Sequence, residues 1–354
     1  MNNKREPIHG RGAKSNPANR FTPIAYVPDP EASDPELPAP RTQFLRDTTR
    51  SIITTNESPD IGFDASINPY RGCEHGCIYC YARPYHEYLG FSAGLDFETK
   101  ILVKEDAPAL LRRELSRPGW KPKTLSLCGV TDPYQPVEKR LRLTARCLEV
   151  LSEFRNPVSV LTKNYLVTRD IEPLAALARV GAVVVGLSII TLDEHLARML
   201  EPRTSSPSRR LEAITVLSDA GIPAGVFIAP VIPGLTDHEI PQIVSAAARA
   251  GACFAVYAVI RLPHGVAELL DGWLADHMPD RRDKVLGRIR AVRGGRRCDA
   301  SPEAWFKGTG VFAEQLASMF RLACRKAGLD TCWPELSTDS FRRPGGAQES
   351  LFGD

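Results

Sequence analysis

The sequence offers no stretch of about 18 consecutive uncharged apolar residues, and its opening MNNKREPIHGRGAKSNPANRF lacks the apolar centre of a leader peptide. A membrane-spanning or exported chain is therefore not expected; a cytoplasmic one is. A dominant charge is also missing, since 45 Lys and Arg stand against 42 Asp and Glu for a net charge of +3. That balance draws neither nucleic acid nor anionic membrane over the whole surface, so any such partner must meet a local patch. Cysteine is sparse, nine in 354 residues, and an odd, scattered set excludes a disulfide scaffold. No repeat of fixed period is visible. With 43% apolar and 25% charged residues, the composition is that of a folded globular protein rather than a disordered chain.

The chain divides by pattern. Residues 1–62 include PDPEASDPELPAP and show no apolar periodicity, so they read as an extended, disordered arm. Its start carries Lys4, Arg5, Arg11, Lys14 and Arg20 against Glu6, either a solvated tail or an arm that touches nucleic acid. Over 63–265, short β-branched runs alternate with amphipathic stretches, the rhythm of βα units around a parallel sheet. Strands are expected at 65–68, 124–128, 158–161, 183–189, 224–228 and 255–260, with a weaker one at 99–103. Helices are expected at 137–154, 171–178, 208–220 and 238–250. Six such units make an α/β fold of partial (βα)6 TIM-like form. Residues 266–354 read as a small helical C-terminal extension. Within it, 281–297 hold eight Arg or Lys against Asp283, a solvated helix face or a phosphate-contacting one.

The chemistry concentrates in NPYRGCEHGCIYCYAR, where Cys73, Cys77 and Cys80 form a C-x3-C-x2-C set after the first expected strand. A structural zinc site wants four protein ligands, and no second C-x2-C or H-x3-H pair occurs; His75 or His86 would have to complete it. A cubane iron–sulfur cluster normally takes four thiolates, so three leave one iron open to an outside molecule. The other cysteines, Cys128 excepted, fall where buried inert thiols are expected.

With Tyr79 just before the third cysteine, this motif resembles the radical S-adenosylmethionine superfamily. Together with TDPYQPVEK, LTKN, EPRTSSPSRR and APVIPGLTD over residues 63–265, it is similar to the spore photoproduct lyase-like branch. The resemblance implies a 4Fe–4S cluster held by Cys73, Cys77 and Cys80. The open iron of such a cluster chelates S-adenosylmethionine and cleaves it to a 5′-deoxyadenosyl radical. It also implies an external electron donor, ferredoxin or flavodoxin, with nucleic acid as a candidate substrate. Tyr79 would pack against adenine, Tyr81 would relay a radical or fasten its loop, and Cys128 would donate a hydrogen atom or be buried packing. Ser188 would bond ribose or carboxylate, or backbone.

The polar residues that follow the expected strands fit one mouth, because ligands of parallel α/β folds sit beyond the carboxyl ends of strands. Thr131 and Asp132 would face the cofactor's ammonium, and Lys163 its carboxylate. Asp132 before Pro133 also suits a turn, and TD departs from the Gly-Gly-Glu motif more usual at this place in the superfamily. Arg203 is expected to pair with Glu201, Arg209 and Arg210 to be surface residues, and Gly234 to let backbone approach adenine. The competing reading is a non-catalytic nucleic-acid-binding protein stabilised by zinc or a cluster.

Overall fold

A strand covered on both faces reads as a nearly unbroken apolar run, and VSVLT and VVVGLS are such runs. In the computed structural model, which describes residues 8–22, 40–55, 64–127, 129–294 and 306–344, both are central strands. The strands are β1 (Gln43–Arg46), β2 (Ile53–Thr55), β3 (Ala65–Ile67), β4 (Tyr70–Arg71), β5 (Lys100–Val103), β6 (Leu125–Leu127), β7 (Val158–Thr162), β8 (Val183–Ser188), β9 (Ala224–Val231) and β10 (Phe254–Val259). The larger sheet runs β10-β9-β8-β7-β6-β3-β2. Its six strands from β3 to β10 are parallel to their neighbours, while β2 lies antiparallel on the edge. This is the expected partial (βα)6 barrel. A small sheet, β1-β5-β4, sits beside it.

Helices α1 (Leu95–Thr99), α2 (Ala107–Leu115), α3 (Glu138–Leu141), α4 (Leu143–Phe154), α5 (Ile171–Ala178), α6 (Glu194–Leu200), α7 (Pro207–Asp219) and α8 (Ile240–Arg249) accompany the strands. Alternation decides the packing. Val183, Val185 and Leu187 of β8 join Leu177 of α5 and Leu217 of α7 in the main apolar core, so Val184, Gly186 and Ser188 face the lumen. The helix expected over 137–154 is broken at Arg142, which adopts a left-handed φ of 54°. Glu138 accounts for the restart, its carboxylate accepting from Thr144 N at 3.0 Å and Ala145 N at 3.3 Å at the head of α4. Beyond the barrel come α9 (Gly265–His277), α10 (Pro279–Ala291) and α11 (Val311–Ala327). Among the described residues no helix is long and apolar enough to cross a membrane.

The arm departs from expectation. Residues 8–22 lie against the cysteine loop rather than in solvent, with Gly12 N and Ala13 N donating to the buried Glu98 carboxylate at 3.0 and 2.8 Å. Further along, β1 pairs with β5 and β2 with β3. These bonds are non-local and polar, so apolar periodicity could not announce them. The described cations singled out at the arm's start are spent within the chain: Arg11 bonds the carbonyls of Glu98 and Pro40, Lys14 pairs with Asp276, and Arg20 with Glu87. Lys4, Arg5 and residues 23–39 lie outside the described residues.

Candidate active site at the barrel mouth

The chain leaving β3 and β4 turns directly into the cysteine loop, which lies over the carboxyl ends of the strands. Gly76 permits the tight path. Its φ is +69°, and a Cβ there would stand 2.7 Å from Glu98 Oε2. Beneath the loop, Arg83 is completely buried and uses all five guanidinium donors. They reach Cys77 O (3.0 Å), Gly76 O (3.1 Å), Ala93 O (3.1 Å), Gly94 O (3.0 Å) and Glu98 Oε1 (2.6 Å). From the other side TDPYQP clasps the loop. Thr131 Oγ1 donates to Gly72 O at 2.6 Å, Gln135 Nε2 to the same oxygen at 3.2 Å, and Glu74 N to Gln135 Oε1 at 3.0 Å. Two independent clamps therefore fix the backbone that carries Cys73, Cys77 and Cys80. Burial pushes all three thiols up from their ordinary value, so without a cationic centre they stay protonated.

A charged cluster faces the loop. Glu201 is buried, yet Arg210 at 2.5 Å and Lys163 at 3.0 Å outweigh its desolvation and hold its carboxyl down to about 2. Tyr79 donates its hydroxyl to the same carboxylate; burial and that negative charge push the phenol well up. Lys163 Nζ also donates to Ala229 O at 3.3 Å, at the end of β9. Ser188 closes β8, its carbonyl accepting from Arg210 Nη1 at 2.8 Å. Tyr79, Lys163 and Ser188 are thus brought to one wall through Glu201 and Arg210.

Asp132 is more heavily engaged than a free ligand would be. It accepts from Thr162 Oγ1 (2.7 Å), Tyr134 N (2.8 Å) and Lys163 N (2.9 Å). His75 Nδ1 stands 3.3 Å from it, misaligned for a hydrogen bond, while Asn164 Nδ2 meets Nε2 at 3.2 Å. Burial opposes ionisation, but His75 and these donors leave the Asp132 carboxyl below its ordinary value. Asp132 therefore makes the turn foreseen for Asp-Pro and ties the loops after β6 and β7 together. Tyr81 is 45% exposed and donates to Gly129 O at 2.9 Å, after β6. Cys128 lies outside the described residues.

Other expectations need correction. Arg203 pairs with Glu74 at 3.2 Å rather than with Glu201. Arg210, read as a surface residue, is 1% exposed and holds Glu201, while Arg209 lies on the Tyr165 ring at the surface. The space at Gly234 is filled by Arg288, whose Cδ would stand 3.0 Å from a Cβ there. The basic run 281–297 is partly consumed: Arg282 pairs with Asp271, Arg288 with Asp237, and Arg293 is buried on the carbonyls of Val259 and Ile260. Arg281, Lys284 and Arg290 of α10 are exposed, and Arg296 and Arg297 lie outside the described residues. Arg83, Glu98 and Gln135 were not among the expected site residues; for Arg83 and Gln135 the signal was their place inside the NPYRGCEHGCIYCYAR and TDPYQPVEK stretches.

The donor set suits a cluster better than a single ion. Three soft thiols on one buried loop match iron–sulfur ligation. A structural zinc site would need a fourth protein ligand beside these thiols; among the described residues no three His, Cys, Asp or Glu side chains, the three thiols included, stand grouped to hold one metal ion.

Six parallel strands with a three-thiol loop clamped over their carboxyl ends define an α/β partial barrel with three cysteines at its mouth. The family model described as the Radical SAM superfamily matches residues 67–247, just over half of the chain, and the chain belongs to that superfamily. An uncharacterized protein of Mycobacterium tuberculosis is 39% identical over 220 residues, 62% of this chain and 65% of that protein. One of Methanocaldococcus jannaschii is 32% identical over 173 residues, 49% and 62% respectively. The chain thus spans just under two thirds of the curated relatives it matches. Among solved structures, spore photoproduct lyase complexed with dinucleoside spore photoproduct aligns with a TM-score of 0.56 at 15% identity, covering 80% of this chain and 79% of that one. A variant of the same lyase gives 0.56 at 17%, covering 81% of each. At such identities the likeness is of fold alone.

Proposed function

We propose that the protein is a radical S-adenosylmethionine enzyme in which Cys73, Cys77 and Cys80 hold a 4Fe–4S cluster. The observation that carries this reading is the doubly clamped three-thiol loop at the mouth of a parallel partial barrel. When bound, the cluster supplies the electron that splits the sulfonium and releases a 5′-deoxyadenosyl radical. The chain's own residues position and enclose. Arg83 and Gln135 hold the loop still, while Thr131 and Asp132 act through the loops they brace. Lys163, held against Glu201 at 3.0 Å, meets the cofactor's carboxylate. Tyr79, anchored by its hydroxyl, gives adenine a rigid face, and Ser188 stands at the strand end where ribose or carboxylate would lie. Tyr81, exposed at the rim, and Cys128, next to β6, are the candidates for hydrogen-atom or radical relay. A one-electron donor such as ferredoxin or flavodoxin is required.

For substrate, we favour nucleic acid. Arg288 touches the loop after β9 and Arg293 the end of β10, so α10 lies beside the mouth with Arg281, Lys284 and Arg290 exposed. A neighbour in fold was solved with a dinucleoside photoproduct. The test is anaerobic incubation of the reconstituted protein with deuterated oligonucleotides: deuterium carried into 5′-deoxyadenosine supports the reading. Its absence, with cofactor cleavage intact, would remove nucleic acid as substrate.

A further inference from the structure

The barrel has a lower end as well as a mouth, and the C-terminal tail crosses it. After α11, Ala255 N donates to Asp330 O at 2.8 Å and Asp330 N to Cys253 O at 3.3 Å, along the outer edge of β10. The chain then runs under the sheet. Ser337 N donates to Gly181 O and Arg342 N to Phe154 O, both at 2.9 Å, and Arg343 reaches the carbonyls of Arg117, Pro118 and Trp120. These partners precede β10, β8, β7 and β6 in turn, so the tail follows the amino ends of the strands.

Trp333 rises from this path into the lumen. Its ring centroid lies 4.9 Å from Phe254 and 6.3 Å from Phe227, both on the face opposite the helices. Gly186 makes room for it: a Cβ there would stand 2.6 Å from Trp333 Cη2 and 3.0 Å from Leu161 Cδ1. A glycine inside a strand weakens it and marks a close approach, and here the indole is what approaches. Beyond the ring, Leu161, Phe227 and Val256 remain half-buried, and among the described residues no lumen-facing position within the six strands is charged.

We propose that Trp333 is the floor of the lumen and a specificity-determining residue: it sets how deep an uncharged group can enter from the mouth. This rests on the radical-enzyme reading only in taking the lumen as the substrate's place. In the full 354-residue chain, Trp333→Ala opens an apolar space of indole size, and such a space stays dry and takes small apolar ligands. Calorimetric titration with indole should show one molecule bound per chain, at least about tenfold tighter than to wild type. Leu161→Trp in the same background refills the space from β7, where Leu161 is the register partner of Gly186, and should abolish that binding. Equal indole affinity in wild type and Trp333→Ala, or binding retained in the double variant, would overturn the proposal. Should Trp333→Ala not fold, Gly186→Ala provides the second reading. Its methyl evicts the ring, so trypsin should cut at Arg342 and Arg343 faster than in wild type while circular dichroism stays native; unchanged protection would overturn the proposal. Both assays run without iron or S-adenosylmethionine, so failure here leaves the cluster reading standing, and the reverse holds too.

Discussion

Replacing Arg83 by Met removes the guanidinium while keeping an unbranched apolar stem, and its cost follows from what surrounds it. Arg83 is fully buried and its partner Glu98 is 0% exposed. With Arg83 gone, Glu98 keeps, among the described residues, the N–H groups of Gly12 and Ala13 and the more distant charge of Arg11. Breaking a buried pair by deleting one member costs about 3–5 kcal/mol, because the surviving charge is left uncompensated. The carbonyls of Gly76, Cys77, Ala93 and Gly94 lose their donor as well, which places the expected loss toward the upper end. Glu98→Gln in the Arg83→Met background removes the orphan charge and should recover part of the loss, giving a coupling of about 1.5 kcal/mol or more between the two sites. Urea unfolding of the iron-free chain, followed by circular dichroism, measures all four corners of the cycle. Arg83→Met should also retain less iron after anaerobic reconstitution, since its target is the cysteine-loop backbone. A loss below about 1 kcal/mol, or additive single changes, would refute the claim that this pair holds the loop.

The remaining predictions address the site and its surroundings. Ala in place of Cys73, Cys77 or Cys80 should each abolish cluster incorporation, read as iron per chain; full iron in all three would remove the cysteines from the site. Lys163→Ala should weaken S-adenosylmethionine binding by about 1.5–3 kcal/mol with little change in Tm, because Arg210 keeps Glu201 paired; an unchanged Kd takes Lys163 out of the cofactor's reach. Cys128→Ala should still release 5′-deoxyadenosine but change the products, and identical products would leave that thiol as packing. His86 supplies a pH signature: burial holds its imidazole down to about 4 from the ordinary 6.5. Being neutral in the fold while the unfolded chain takes a proton, it contributes stability that is complete above pH 6.5 and lost as pH falls toward 4. The loss amounts to roughly 3 kcal/mol at most. His86→Gln should flatten that limb of the stability curve; an identical slope contradicts it.

The barrel was legible because its signals are local. β7 and β8 are short runs rich in β-branched residues and β6, β9 and β10 short apolar ones, and the helix of 171–178 begins and ends where its pattern does. The three cysteines and the polar residues after each strand were legible for the same reason, since in parallel α/β folds strand ends converge. What escaped reading depends on pairing across the chain. Gly12 and Ala13 look like linker until Glu98 is seen 85 or more positions away. Arg210, at the head of α7 beside Arg209, is told apart from it only by the buried Glu201 it faces. Asp132 reads as a ligand or as a turn former, and its donors, Tyr134 in its own loop and Thr162 and Lys163 at the end of β7, speak for the second. Trp333 had its clue in Gly186, an unpacked position in the middle of VVVGLS, but nothing in the run says which ring will occupy it.

The most direct measurement is electron paramagnetic resonance of the anaerobically reconstituted, dithionite-reduced protein with and without S-adenosylmethionine. The account predicts a 4Fe–4S signal whose g-values shift when the nucleoside is added, and loss of that signal in the cysteine variants. A signal that is the same with and without S-adenosylmethionine would contradict the account at its foundation.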